Sequence, residues 1–573
     1  RGVDTYWMNE PLRFATTHKH TLSIEGGDAT FRYGAGLSYG KTEGVMKGSD
    51  REVMNGNIRL IYRKGKLSFT NNLNINYSKA DREPVAFSEF AKANPYFRKY
   101  DENGELKKIL FQNYAATYYN PLYDMNQTNF EETKTTGFTN NFEVDWRVID
   151  ELRVRGRFGL TKSNEQMKKF RSPFNTEFNS QADIANKGSY EERNTQNLNY
   201  DGDFSLTYGK LFNEKHMVNV VGGMRLSQNG SNNSAYKVQG FIDDEFSNPA
   251  FALGYQKDGN ATYQDSKKRA VSYYLNFGYA YDDRYLLDVN YRSDGSSVFG
   301  SDRQFTNTWS VGLGWNIHKE KFMENVLWLD RLKLRGSYAV TGSVNFDAYQ
   351  ALATYEYYTD DRYRYWFGSH LKGLANDDLE WQKTDKWNFG LEIGAFHNRL
   401  KVTTDIYTNQ TNNLLSEMYL PLTNGFPSYT DNVGKVKNKG VEVALSGYPI
   451  RNTEKNIIWS VSASFIHEKN EIVKISEALK VANEELELQG GSNPNFMYRE
   501  GEALRTIYVV PSLGIDPSTG QELFIDRFGN VTFNWDARDK VACGVTDPKF
   551  RGNINTMFTF RDLSVNLSFG YRL

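Results

Sequence analysis

The 573-residue sequence has one cysteine, Cys543, so it can form neither an internal disulfide nor a cysteine cluster for metal. No segment approaches the roughly 18 consecutive apolar residues that a membrane-spanning helix needs. With a mean hydropathy of −0.66, a helical membrane protein is excluded. Neither sign of charge prevails: 69 Lys and Arg oppose 70 Asp and Glu, a net charge of −1. No whole-chain field therefore favours nucleic acid. Proline is scarce at 13 residues. Arg1 to Arg13 show no basic start followed by an apolar run, so no secretion signal is expected there.

What is abundant is aromatic. Tyr and Phe number 37 each, Gly 47, and aromatic residues make up 15% of the chain. That composition argues against three or four soluble domains of about 150 residues. It suits a transmembrane β-barrel, in which lipid-facing and lumen-facing side chains alternate and average hydropathy stays low.

Period-two alternation runs along the whole length. Leu563, Val565, Leu567, Phe569 and Tyr571 alternate with Ser564, Asn566, Ser568, Gly570 and Arg572. Phe142, Val144, Trp146 and Val148 alternate with Asn141, Glu143, Asp145 and Arg147. Arg153, Arg155 and Arg157 are interleaved with Leu152, Val154, Phe158 and Leu160, a row tolerable only against a wet lumen or a polar plug. About eighteen strands are predicted, near 18–25, 29–40, 54–64, 66–79, 136–148, 152–167, 196–209, 216–230, 269–281, 284–293, 306–317, 331–341, 384–396, 399–414, 435–449, 456–469, 550–560 and 562–572.

Tight turns are expected at Gly26–Asp28, Lys64–Lys66, Ile149–Glu151, Asp282–Arg284, His397–Arg399 and Arg561–Asp562. Long connections run from Ala80 to Thr135, Ser231 to Arg269, Gly342 to Lys383 and Asn470 to Lys549, well beyond the usual loop of about 4 to 6 residues. Short turns on one side and long loops on the other indicate an outer-membrane barrel. Strand parity then puts both chain ends outside the cell. At least one further strand is expected at each end, and the fragment is not expected to fold correctly alone.

Several stretches resemble the SusC/RagA family of TonB-dependent transporters: Asp4-Thr5-Tyr6-Trp7, Ser23 to Gly27, Asp283 to Leu286, Arg292 to Gly300, Trp309 to Trp315 with Glu320, Asn438 to Glu442, and Gly514 to Gly520. They span nearly the whole chain. The resemblance implies an all-β transmembrane antiparallel β-barrel with long extracellular loops, here about 18 strands of an expected 22. It also implies a plug driven by TonB, a SusD-like lipoprotein lid, and oligosaccharide or oligopeptide cargo. By comparison with the family's pattern, the plug, the TonB-contacting segment and the first strand are expected to lie outside this sequence, and three further strands are expected after Leu573. The implied function is energised import through the bacterial outer membrane, without catalysis or cofactor. A passive porin and a secreted all-β adhesin or enzyme are the alternatives.

Individual motifs are weaker. Gly36-Leu37-Ser38-Tyr39-Gly40 matches a nucleophile elbow, but alternation from Phe31 to Tyr39 runs straight through it, so Ser38 is expected inside a strand. His18 and His20 could meet a metal, but no third ligand is near, and no metal site is predicted. Asp101 to Glu105 lacks the full spacing of a calcium loop, and Glu484 to Leu488 reads as a solvated acidic run. Among the family motifs, Asp294, Gly295, Ser296, Ser297, Phe299, Gly300, Gly440, Glu442, Asp516, Pro517 and Gly520 are expected to be structural. The candidate cargo contacts are Tyr357, Asp360, Asp361, Arg362, Tyr365 and Trp366, in the aromatic run from Tyr355 to Phe367. Sugars stack on aromatic faces while their hydroxyls meet Asp and Arg, although a protein interface uses the same residue types.

Overall fold

A chain of alternating strands satisfies its backbone N–H and C=O groups only by pairing each strand with a neighbour. The computed structural model shows that pairing for residues 2–573 except 257–258, 301, 344–348, 350, 364, 378, 420–427, 476 and 489–494. The long strands are β1 (Thr17–Gly27), β2 (Phe31–Glu43), β3 (Asp50–Lys64), β4 (Leu67–Arg82), β5 (Phe130–Arg147), β6 (Leu152–Arg171), β7 (Ser189–Phe212), β8 (His216–Gln239) and β9 (Thr262–Tyr281). They continue as β10 (Tyr285–Ser296), β11 (Phe305–Asn316), β12 (Leu329–Ser343), β13 (Gln382–Ala395), β14 (Leu400–Tyr419), β15 (Ser428–Asn452), β16 (Ile457–Lys474), β17 (Phe550–Phe560) and β18 (Leu563–Arg572). Each coincides with one of the eighteen expected from alternation. Among the described residues no helix is long and apolar enough to cross a membrane.

The chain forms two units, Arg1–Ser205 with Arg225–Arg269, and Leu206–Met224 with Ala270–Leu573. In the first, β1 to β6 make an antiparallel meander, each strand paired with the next. In the second, β9 to β18 do the same. Register is set at the tight turns. Asp282 and Asp283 adopt φ of 50° and 51°, and His397 and Asn398 adopt 59° and 57°, left-handed values that match the twist of the flanking strands.

Within each meander one face is apolar and exposed. Ile58 pairs with Ala35 and Leu73, and Leu313 with Leu287 and Gly336, so the apolar rows of adjacent strands lie side by side. Leu563, Val565, Leu567 and Phe569 are likewise exposed. An ordinary soluble sheet would bury such a face.

The strands differ most from expectation at the ends away from the tight turns. β7 begins at Ser189 rather than near 196, β8 continues to Gln239 rather than 230, and β9 begins at Thr262 rather than 269. All three extensions lie away from the tight turns. Segments such as Ser231-Asn232-Asn233-Ser234 carry polar residues on both faces, so the ladder of backbone hydrogen bonds outlasts the alternation that advertises it.

The long connections also carry structure of their own. Hairpins form from Ile109–Gln112 with Thr117–Tyr119 and from Thr354–Tyr363 with Trp366–Gly373. Two small three-stranded sheets occupy the connection from β16 to β17. The joint from β11 to β12, on the tight-turn side, holds two short helical turns, Ile317–Lys319 and Lys321–Met323.

Among the described residues, buried apolar side chains gather at the ends of strands and in loops. One cluster joins Phe170, Tyr190 and Phe241, a second joins Val298, Phe299, Ala351, Leu379 and Trp381, and a third joins Val436, Ile472 and Ile475. The strand middles contribute little core because both of their faces are open.

Around the first cluster, Glu192 accepts hydrogen bonds from Gln166 (2.7 Å), Tyr236 (2.9 Å), Tyr190 (3.1 Å) and Asn194 (3.3 Å). Burial pushes the Glu192 carboxyl up, but these hydrogen bonds outweigh it and hold the group below the usual carboxylate range. Burial, then the bond to Glu192, pushes the Tyr236 hydroxyl up to about 12. Because the folded value lies above the unfolded one, this bond contributes fully below about pH 10 and is lost as pH rises through about 12. Ultraviolet titration of tyrosinate should therefore show a late-titrating group that Tyr236→Phe removes. A late phase undiminished in the variant would show that Tyr236 ionises like an exposed tyrosine.

Candidate functional site

Two surfaces can meet a solute: the polar face of the strands and the aromatic hairpin between β12 and β13. The polar face is a lattice of cross-strand ion pairs. Asp145 on β5 accepts from Arg153 at 2.8 Å and Arg155 at 3.1 Å on β6. Arg157 reaches Asp203 on β7 at 3.2 Å, and Arg225 on β8 reaches Asp201 at 3.7 Å. Asn72, Asn141, Glu143 and Gly159 complete a polar recess of about 410 Å³ around Arg157. The arginine row anticipated against a wet lumen is thus neutralised by carboxylates from its neighbours.

In the second unit Arg335 on β12 donates to Asp405 on β14 at 2.6 Å, and Arg331 pairs with Glu392 on β13 at 2.8 Å. Gly390 lies between, where a Cβ would stand 2.2 Å from the Arg335 Nε. Glu442 stands opposite Asp405, and Gly440 opposite Tyr407. The Tyr407 ring covers Gly440 so closely that a Cβ there would lie 2.3 Å from its Cζ. Gly440 is therefore a seat for an aromatic ring.

The stretch from Asp294 to Gly300 works as a clamp. Asp294 accepts from Ser272 at 2.5 Å and from Arg292 at 2.6 Å, tying the end of β10 to the middle of β9. Gly295 is covered by the Phe305 ring. Ser296 ends β10 with its N–H on the Gln304 carbonyl at 3.1 Å, and Ser297 follows as an exposed residue. Phe299 stacks on Trp381 with ring centroids 4.4 Å apart. At Gly300 a Cβ would meet the Asp377 carbonyl oxygen at 2.0 Å, so only glycine allows the two loop backbones to approach this closely.

Above that clamp rises the hairpin of Thr354–Tyr363 and Trp366–Gly373. Its foot is fixed by the Asn376 N–H on the Ala351 carbonyl and by the buried side chains of Leu379 and Trp381. Along one edge Glu356 takes Lys372 at 3.2 Å. Tyr355, Tyr357, Tyr365 and Trp366 are 69%, 73%, 95% and 77% exposed. Of the candidate cargo contacts, Tyr357, Tyr365 and Trp366 are thus brought onto one hairpin. Asp360, Asp361 and Arg362 lie on its first strand, with side chains outside the described residues. Tyr355, two residues before Tyr357, belongs with these aromatics by the strand period.

The other motifs fall into local structure. Ser38 sits in the middle of β2 opposite Thr21 and Asn55, without a turn to a helix. Asp516 to Gly520 is a tight turn in which the Gly520 N–H donates to the Asp516 carbonyl at 2.8 Å and Asp516 accepts from Ser518 at 2.9 Å; Pro517 fills the turn between them. Asp101 closes its turn on the N–H groups of Asn103 and Glu105. The rings of His18 and His20 are 5.2 Å apart, and among the described residues no group of three His, Cys, Asp or Glu could hold a metal ion. Glu484 to Leu488 lies in the helix Glu477–Leu488, its side chains after Glu484 outside the described residues.

The family model described as TonB dependent receptor-like, beta-barrel matches residues 66–490. The chain belongs to this family of TonB-dependent receptors. TonB-dependent receptor P39 of Formosa agariphila is 27% identical over 529 residues, covering 90% of this chain and 48% of the relative. TonB-dependent receptor SusC of Bacteroides thetaiotaomicron is 26% identical over 608 residues, covering 98% of this chain and 58% of the relative. The chain spans about half the length of the curated relatives it matches. Among solved structures, that of the RagAB peptide transporter matches with a TM-score of 0.81 at 23% identity, over 100% of this chain and 63% of the other. The chain is thus an outer-membrane TonB-dependent receptor β-barrel sequence, similar to SusC and to the RagAB peptide transporter, whose exposed apolar face meets lipid.

Proposed function

We propose that the whole protein imports oligosaccharides or oligopeptides through the outer membrane, capturing them at the long-loop end together with a SusD-like surface lipoprotein and drawing energy through TonB. One observation carries the reading. Four aromatic side chains stay largely exposed on a hairpin whose foot is tightly packed, an arrangement that leaves apolar rings in water until a partner covers them. Tyr355, Tyr357, Tyr365 and Trp366 supply the stacking faces, and Asp360, Asp361 and Arg362 the polar contacts. The lattice of paired charges supports passage of a hydrated solute, since its ions already satisfy one another.

The test begins with the complete protein recovered from its native membrane in mild detergent and mass spectrometry of what accompanies it. With the cargo identified, Tyr357→Ala and Trp366→Ala should each weaken binding by about 2 kcal/mol, roughly thirty-fold in Kd, by calorimetry. Unchanged cargo affinity with loss of the lipoprotein would assign the hairpin to the protein interface instead. A barrel recovered with neither companion would favour a passive pore.

A further inference from the structure

On the lipid-facing side of β10 to β14 lies an apolar groove of about 690 Å³. Its depth has a local cause. Gly336 on β12 pairs with Leu313 on one side and Phe389 on the other, and the missing side chain leaves a trough between them. Leu334, Leu391 and Ile406 continue its walls. A Cβ at Gly336 would meet the Phe389 ring at 3.5 Å, so the trough is not enforced by crowding.

The groove ends at a polar belt on the tight-turn side. Tyr285 and Trp315, paired across β10 and β11, both line the groove and both donate to Glu320, at 2.7 Å and 3.0 Å. Arg284 reaches the same carboxylate at 3.4 Å, and Lys319 pairs with Asp283 at 2.8 Å. The next residues of this joint expose Phe322, Leu327 and Trp328. Tyr and Trp with polar tips mark the level where lipid headgroups lie. A trough of hydrocarbon character thus opens onto groups of both charge signs, the complement of an amphiphile with an acyl tail and a zwitterionic head.

From this geometry we infer a specific phospholipid site on the barrel wall, with one acyl chain lying over Gly336 and the headgroup at the Arg284, Lys319 and Glu320 belt. It rests on the apolar face meeting lipid and is independent of the cargo. A second copy of the chain fits less well, because a two-fold contact needs a ridge to enter the trough as well as the trough itself.

The test is lipid retention by the complete protein purified in mild detergent, read by native mass spectrometry and total phosphorus. The wild type should keep about one zwitterionic phospholipid per chain. Gly336→Leu, which fills the floor, and Thr404→Trp, which narrows the groove from β14, should each lower occupancy about ten-fold. If Gly336→Leu does not fold, Thr404→Trp carries the test. Retention unchanged in the folded variants, or a lipid-free wild type, would overturn the site; so would a lipid-free dimer that Gly336→Leu converts to monomer.

Discussion

Trp381→Ala is expected to release the aromatic hairpin while leaving the strands paired. Trp381 is 7% exposed and stacks on Phe299 in a cluster with Val298, Ala351 and Leu379, beyond the ends of β10 and β12. Removing a buried tryptophan costs about 3 to 5 kcal/mol. Here that loss falls on the loop, because none of the cluster's members lies in the middle of a strand. Limited proteolysis should show new cleavage between β12 and β13, with the heat-dependent gel mobility of the barrel unchanged. Equal protease resistance in variant and wild type would mean that the clamp does not hold the hairpin.

The second large effect concerns the faces of the wall. Ile58 lies on the exposed apolar face beside Leu73, whereas Asn74 projects from the opposite face of β4. Near the bilayer midplane an arginine facing lipid costs about 2 to 4 kcal/mol, while one facing the lumen stays hydrated. Ile58→Arg should therefore lower stability by about that amount, and Asn74→Arg by less than about 1 kcal/mol, in denaturant unfolding from lipid vesicles. If the two variants lost stability equally, the apolar face would not be meeting hydrocarbon.

Both predictions bear on how far the molecule can be read from its sequence. Alternation places Ile58 and Asn74 on opposite faces with no structural knowledge, and it finds all eighteen long strands. It fails where the strand leaves the bilayer. At Ser231 to Gln239 no lipid demands an apolar face, so the backbone ladder continues without a side-chain signature. For the same reason the paired strands inside the loops are hidden: Thr354–Tyr363 reads as a loop rich in Tyr, and only its pairing with Trp366–Gly373 reveals a hairpin.

The site divides similarly. The run from Tyr355 to Trp366 shows the residue types that bind sugars or peptides, and its place in a long connection shows that they lie at the loop end. What fixes its base is separated by more than fifty residues in the chain, Phe299 against Trp381 and Gly300 against Asp377. Nothing local in Asp294 to Gly300 says which distant backbone it must approach.

Sequence by itself determined the class of protein, the strands and the side of each strand that meets lipid, because a bilayer imposes a rule on every second residue. Tertiary structure decided the rest: which carboxylate neutralises each arginine of the polar face, why Gly440 and Gly300 must be glycine, and where Gly336 opens a groove. Those depend on the register between strands and on contacts between loops, which bring together residues whose separation along the chain carries no periodic signal.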